Sequence, residues 1–160
     1  MDGRNDAGEE LRDLYRELIL DHARNPRHFG KLEDATHTAE GINPLCGDKL
    51  KLYIRIDADD RIVDARFEGT GCAISVASAS LLTDTVIGLK QHDAMAFFET
   101  LVERLGGNGI ESAPAATVDL GKLRALEGVR EYPSRVKCAT LAWHALNSAI
   151  HRTRAPATTE

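Results

Sequence analysis

The sequence lacks the features that mark an exported, membrane-spanning or nucleic-acid-binding protein. It has no run of about 18 uninterrupted apolar residues, and its polar, acidic N-terminus carries no apolar segment like that of a secretory signal. Clusters of Lys and Arg are also missing from the 160 residues, and a net charge of −5 disfavours contact with nucleic-acid phosphates. We therefore expect a cytoplasmic protein that binds neither nucleic acid nor a membrane.

Cysteine is scarce, and its spacing excludes the common cysteine motifs. Three thiols cannot pair off completely, so a disulfide framework is not expected. Cys46 and Cys72 are 26 residues apart, and Cys72 and Cys138 are 66 residues apart, so no short zinc-finger spacing is present. Other motifs are incomplete as well. The serines of residues 75–80 lack the G-x-S-x-G elbow of a hydrolase, and the acidic turn at 57–60 lacks the glycine of a calcium loop.

What the sequence does contain is a polar, turn-rich setting around each cysteine. Cys46 is followed by Gly47 and Asp48, Cys72 follows a Gly-Thr-Gly segment, and Cys138 follows Arg-Val-Lys. Any one of these thiols alone could be buried as a small hydrophobe. Three thiols and a carboxylate together make a sulfur-rich set of four ligands that suits tetrahedral zinc. We predict that Cys46, Asp48, Cys72 and Cys138 bind one metal ion.

Two features of this predicted site stay open. Asp48 is either a ligand or a hydrogen-bonding partner of a ligand thiolate. Because three thiolates and a carboxylate around a divalent ion leave negative charge uncompensated, we also expect a cation nearby. The candidates are Arg135, Lys137 and Lys49, of which Arg135 is favoured as a bidentate partner of Asp48. None of the six histidines is expected to be a resting ligand, although His22 and His144 could border the pocket.

Hydrophobic periodicity predicts an α+β fold. Apolar positions at helical spacing predict helices from Glu9, over 73–89, after Asp93, over 119–127 and from Pro133. Alternation predicts strands over 49–56 and over 62–68, and a further short strand is expected near 37–41. These elements form a small antiparallel three-stranded sheet packed against several helices, with the metal site at one end. Cys72 is expected at a helix N-terminus, where the helix dipole favours a thiolate, and Cys138 in the first turns of the last helix.

The chain length is sufficient for one domain with its own core. We predict a single domain over residues 9–152, with a flexible excursion at 106–118 that is rich in glycine and small residues. Residues 1–8 and 153–160 are expected to be disordered tails.

Set in this order of elements, the motifs resemble the iron–sulfur cluster assembly proteins of the IscU and NifU N-terminal type, most closely the SufU branch. The resemblance runs from about Leu11 to Ile150. Its residues are Leu14-Tyr15-Arg16-Glu17, Asp21-His22, Asn25-Pro26 and Gly30; Asn43-Pro44-Leu45-Cys46-Gly47-Asp48; Gly69-Thr70-Gly71-Cys72-Ala73-Ile74-Ser75 with Ala77-Ser78-Ala79-Ser80; and Arg135-Val136-Lys137-Cys138-Ala139-Thr140-Leu141-Ala142-Trp143.

This resemblance implies a sulfurtransferase-like protein that binds Zn²⁺ through Cys46, Asp48, Cys72 and Cys138. Its expected partners are a cysteine desulfurase of the SufS type, which donates persulfide sulfur to Cys46, and downstream cluster assembly proteins. Scaffold members of the family carry a histidine immediately before the third cysteine, where this chain has Lys137. Two alternatives remain: a scaffold that assembles and transfers a transient 2Fe–2S cluster on the same ligands, and a structural zinc domain without chemistry.

Overall fold

A computed structural model describes residues 3–106, 118–152 and 156–159. Almost all of the predicted excursion at 106–118 lies outside these residues. The described elements follow the order expected for an α+β fold, which is confirmed. They are α1 (Gly3–Arg24), β1 (His37–Asn43), β2 (Asp48–Ile56), β3 (Ile62–Thr70), α2 (Ala73–Val86), α3 (Gln91–Arg104), a 3₁₀ helix (Gly121–Val129), α4 (Pro133–Ile150) and β4 (Ala157–Thr158).

The sheet has four strands in the order β3-β2-β1-β4, not the predicted three. β1 and β3 each pair antiparallel with β2, as the alternating apolar residues of the hairpin indicate. β4 adds to the outer edge of β1 in parallel, through Gly41 with Ala157 and Ile42 with Thr158. Two residues are too few to show a period of two, so this short strand within the predicted tail at 153–160 has no sequence signal.

One face of the sheet packs against α2 and α4. Leu50, Leu52 and Ile54 point from β2 into this core, where Trp143 of α4 is completely buried. Helix α2 is enclosed on nearly all sides, so that its serines are buried together with its apolar residues. Such serines must find hydrogen-bond partners, and Ser78 donates to the carbonyl of Ala139 at 2.5 Å. This contact joins α2 to α4 at Ala139, the residue directly after Cys138.

Helix α1 begins at Gly3, so it includes residues for which the sequence predicts no regular structure. Ile19 and His22 are buried against the body of the protein, but Leu11 and Leu14 are exposed. The predicted apolar stripe therefore contacts the core only through its C-terminal part. No helix among the described residues is both long and apolar enough to cross a membrane.

Candidate metal centre

The β1–β2 connection places Cys46 at the surface beside a buried carboxylate. Residues 44–47 form a tight turn, closed by the register pair of Asn43 with Asp48. Gly47 lies at φ +73°, a left-handed conformation that glycine adopts without a steric cost. Cys46 is exposed at the tip of this turn, whereas Asp48 at its base is only 1 % exposed. The turn thus presents a thiol to solvent and a carboxylate to the interior.

The other two cysteines lie at the N-terminal parts of α2 and α4, as predicted. Cys72 is the N-cap residue of α2, with extended backbone angles (φ −71°, ψ 169°) and a half-buried side chain. Pro133 opens α4, where its missing N–H costs no hydrogen bond, and Cys138 follows in the second turn. Cys138 is completely buried. The three thiols therefore differ in their access to solvent.

The structure brings together three of the four predicted ligands in one tight group. The ligand atoms of Cys46, Asp48 and Cys138 all lie within 4.8 Å of one another. The thiol of Cys72 does not lie within 4.8 Å of all three of these ligand atoms, although it interacts with the thiol of Cys138. The backbone N–H of Cys72 also donates to Asp48 Oδ1 at 2.9 Å. The four residues predicted from the sequence are therefore neighbours in the structure, with Cys72 joined to the group through Asp48 and Cys138.

Asp48 receives hydrogen bonds from neutral groups, not from an arginine. Ser75 Oγ donates to Asp48 Oδ2 at 2.7 Å, and Asn43 Nδ2 lies 3.5 Å from the same oxygen. Among the ion pairs formed by described residues, none includes Asp48, so the expected pairing with Arg135 is wrong. The physical reason is the position of Arg135, which is exposed in the first turn of α4, whereas the carboxylate is enclosed. Neutral donors hold the carboxylate without cancelling its charge.

Ser75 and Asn43 are the site residues that the sequence analysis missed. Both are completely buried, and Asn43 Nδ2 also lies 3.6 Å from Cys138 Sγ. Two signals in the sequence could have indicated them. Ser75 is three residues after Cys72, so both face the same side of a helix. Asn43 and Asp48 flank a short turn, so they face each other across the hairpin.

The electrostatic setting differs between the two less accessible thiols. Burial raises the pKa of Cys138, and the neighbouring acid groups of Asp48, Cys72 and Cys46 raise it further. Burial also acts to raise the pKa of Cys72, but hydrogen bonds with the side chain and backbone of Ser75 and with the thiol of Cys138 together lower that pKa below its ordinary value. The three thiols and the carboxylate can form several anions, and no cationic side chain lies among these four residues. Such a set of side chains suits a divalent ion that prefers sulfur ligands.

The two histidines considered as neighbours of the pocket have other roles. Burial lowers the pKa of His22, whose Nδ1 lies 2.7 Å from Ser80 Oγ and thereby links α1 to α2. Burial likewise lowers the pKa of His144, which packs edge-to-face against Phe98. Neither belongs to the group of ligand atoms found among the described residues.

An apolar groove of about 590 Å³ adjoins this centre. Its lining residues are Ala73, Ile74, Gly128, Val129, Tyr132 and Arg135. Ala73 follows Cys72 directly, and Arg135 precedes Cys138 by less than one helical turn. Tyr132 and, on the neighbouring turn, Leu45 are large apolar side chains left exposed. The groove is therefore mainly apolar, and Leu45 adds an exposed apolar side chain directly before Cys46 in the chain.

Comparisons with known proteins agree with this arrangement. The model of the NifU-like N-terminal domain matches residues 14–139. The chain is 39 % identical over 137 residues to the zinc-dependent sulfurtransferase SufU of Bacillus subtilis, covering 86 % of this chain and 89 % of that protein. It is 40 % identical over 146 residues to the iron–sulfur cluster assembly scaffold protein IscU of Streptococcus pyogenes, covering 91 % and 88 %.

The fold is shared with a solved structure as well. The N-terminal part of a nitrogen-fixing NifU-like protein from Brucella abortus superposes with a TM-score of 0.75 at 26 % identity, over 91 % of this chain and 99 % of that one. The family match covers all three cysteines and Asp48. It leaves out the N-terminal part of α1 and, at the other end, the rest of α4 and the residues after it. This protein therefore belongs to the family of NifU-like N-terminal domains, in which SufU and IscU proteins are its relatives.

Proposed function

We propose that this protein accepts sulfane sulfur on Cys46 from the persulfide of a cysteine desulfurase and passes it on during iron–sulfur cluster assembly. The observation that carries the proposal is the difference in access within the thiol group. Cys46 is exposed on a turn, whereas Cys72 is half-buried and Cys138 is enclosed. Only an exposed sulfur can meet a sulfur atom of another protein. The similarity to a protein named a zinc-dependent sulfurtransferase supports the same assignment.

The transfer step needs a thiolate and conserves atoms and electrons. The Cys46 thiolate attacks the terminal sulfur of the donor's cysteine persulfide, a new S–S bond forms at Cys46, and the donor's S–S bond breaks. The donor cysteine leaves as a thiolate, so no external oxidant or reductant is required. Such chemistry requires free thiols, and we assign the protein to the cytoplasm, where thiols stay reduced.

We propose that Cys46, Asp48, Cys72 and Cys138 hold Zn²⁺. The ion would supply the positive charge that keeps these thiols deprotonated near neutral pH without redox chemistry of its own. The residues of this chain contribute the remaining functions. The turn at 44–47 presents Cys46, the enclosed Cys138 anchors the site in α4, and the neutral donors around Asp48 orient its carboxylate. The adjoining apolar groove offers the donor protein a contact surface.

A second candidate is a scaffold that assembles a transient 2Fe–2S cluster on the same four side chains. The observation in its favour is the similarity to a protein named an IscU scaffold, at an identity close to that of the SufU protein. Lys137 stands where scaffold members carry histidine, and the carboxylate–thiol group contains no imidazole among the described residues. We therefore place sulfur transfer first.

Two measurements test the proposal. Metal analysis of the aerobically purified protein should give about one zinc per chain and no ferric–sulfide absorbance. The protein is then incubated with a cysteine desulfurase and cysteine, and persulfide is mapped by mass spectrometry on wild type, Cys46→Ala and Leu45→Ala. Wild type and Leu45→Ala should gain sulfur on Cys46, because the control alters the same exposed turn but retains the thiol. Sulfur absent from Cys46, together with desulfurase turnover that the protein does not change, rejects the proposal.

A further inference from the structure

We infer that Ser75 is a positioning residue, which fixes the carboxylate of Asp48 in the orientation that the metal centre requires. The inference rests on the proposed metal site and adds to it a residue outside the ligand set. Ser75 is completely buried in the first turn of α2, and its hydroxyl donates to Asp48 Oδ2 at 2.7 Å. This is the shortest hydrogen bond that the carboxylate accepts from a described side chain.

Both oxygens of Asp48 accept hydrogen bonds from the start of α2, and one of them is also approached from β1. The backbone N–H of Cys72 donates to Oδ1 at 2.9 Å, so the start of α2 holds one oxygen. Ser75 holds the other oxygen, and the amide of Asn43 approaches it from β1 at only 3.5 Å. A carboxylate rotates easily about its last torsion angle, because that torsion has a broad two-fold potential. Without the Ser75 hydroxyl, the weak contact of Asn43 is the only restraint on Oδ2 that remains from the side chains of described residues.

Ser75 also contacts a second proposed ligand. Its Oγ lies 3.5 Å from Cys72 Sγ, so one hydroxyl touches both the carboxylate and a thiol of the site. Asp48 is almost inaccessible to solvent, so water cannot readily replace a missing donor. Hydrogen-bond partners of metal ligands typically change metal affinity by about 10–100-fold when they are removed. The effect of Ser75 should lie in this range.

Helix α2 offers a matched control. Ser78 is also a completely buried serine of α2, and it also donates one hydrogen bond, but its acceptor is the carbonyl oxygen of Ala139. Ser75→Ala and Ser78→Ala therefore remove the same atom from the same helix. Each variant is first checked for folding by circular dichroism and by its melting temperature without metal. Zinc affinity is then measured by competition with a chromophoric chelator, and the visible spectrum of the Co²⁺-loaded protein is recorded.

We expect Ser75→Ala to lose about 10–100-fold in zinc affinity and to show a shifted Co²⁺ spectrum, while Ser78→Ala binds zinc like wild type. Equal zinc affinities for Ser75→Ala and wild type would overturn the inference and leave the proposed function intact. Equal losses in both serine variants would overturn it too, because they would indicate a general effect of weakening α2. A wild-type protein that takes up no zinc would instead reject the proposed metal site itself, and the inference with it.

Discussion

Replacing Gly71 by alanine tests how tightly the candidate centre is packed. A Cβ atom at this position would lie 2.9 Å from Asp48 Oδ1 and 3.1 Å from Ser75 Cβ. Ordinary contacts of this kind begin at 3.4 Å, so the carboxylate would have to move by about half an ångström. The backbone itself should tolerate alanine, because Gly71 is not among the residues with positive φ. The expected damage is therefore steric and confined to the site.

The magnitude follows from the cost of overpacking. Inserting a methyl group into a closely packed interior typically costs about 1–3 kcal/mol. For a domain of about 150 residues, each kcal/mol lowers the melting temperature by about 2–4 °C, so a decrease of about 2–12 °C is expected. The displaced carboxylate should also weaken zinc binding by about 10-fold or more, since its hydrogen bond from the Cys72 N–H is disturbed.

The assay is thermal unfolding of the metal-free protein combined with chelator competition for zinc. Gly128→Ala is the control, because a Cβ atom there would meet no atom within 4 Å and its φ is not positive. This variant should unfold and bind zinc like wild type. If Gly71→Ala behaves like Gly128→Ala in both measurements, the close packing of Asp48 against this glycine is refuted.

Two further predictions concern thiol access and pH. In the metal-free folded protein, iodoacetamide should label Cys46 before Cys138, because Cys46 is exposed while burial raises the pKa of Cys138; equal labelling rates, followed by mass spectrometry, would contradict this. Burial lowers the pKa of His22 and of His144 below the ordinary 6.5, so protons bind more readily to the unfolded chain. The free energy of unfolding of the metal-free protein should thus be retained above pH 6.5 and decrease as the pH falls below it. In His144→Gln this free energy should decrease less steeply with falling pH, as measured by denaturant unfolding at several pH values. An equally steep decrease in that variant would argue against the effect of burial on His144.

The elements that position the site could largely be predicted from the sequence. The alternation over Leu50–Ile56 predicts β2, and the helical spacing after Cys72 predicts α2, because each pattern records which side of an element faces the core. Two elements that lack such a hydrophobic pattern could not be predicted from the sequence. β4 is one, because two residues are too few to show a period of two, and the first residues of α1 are another, because the apolar stripe of that helix begins only at Leu11.

The features of the candidate site were likewise only partly predictable from the sequence. Turn chemistry and helix starts are local properties, so the sequence alone determined that three thiols and Asp48 belong to polar segments at the ends of elements. Only the tertiary structure decided which groups satisfy the carboxylate. Hydrogen bonds form between whichever donors the packing brings within reach, and burial favoured the short side chain of Ser75 over the long, exposed Arg135. The order of solvent access among Cys46, Cys72 and Cys138 was likewise set by packing, because the residue type is the same at all three positions.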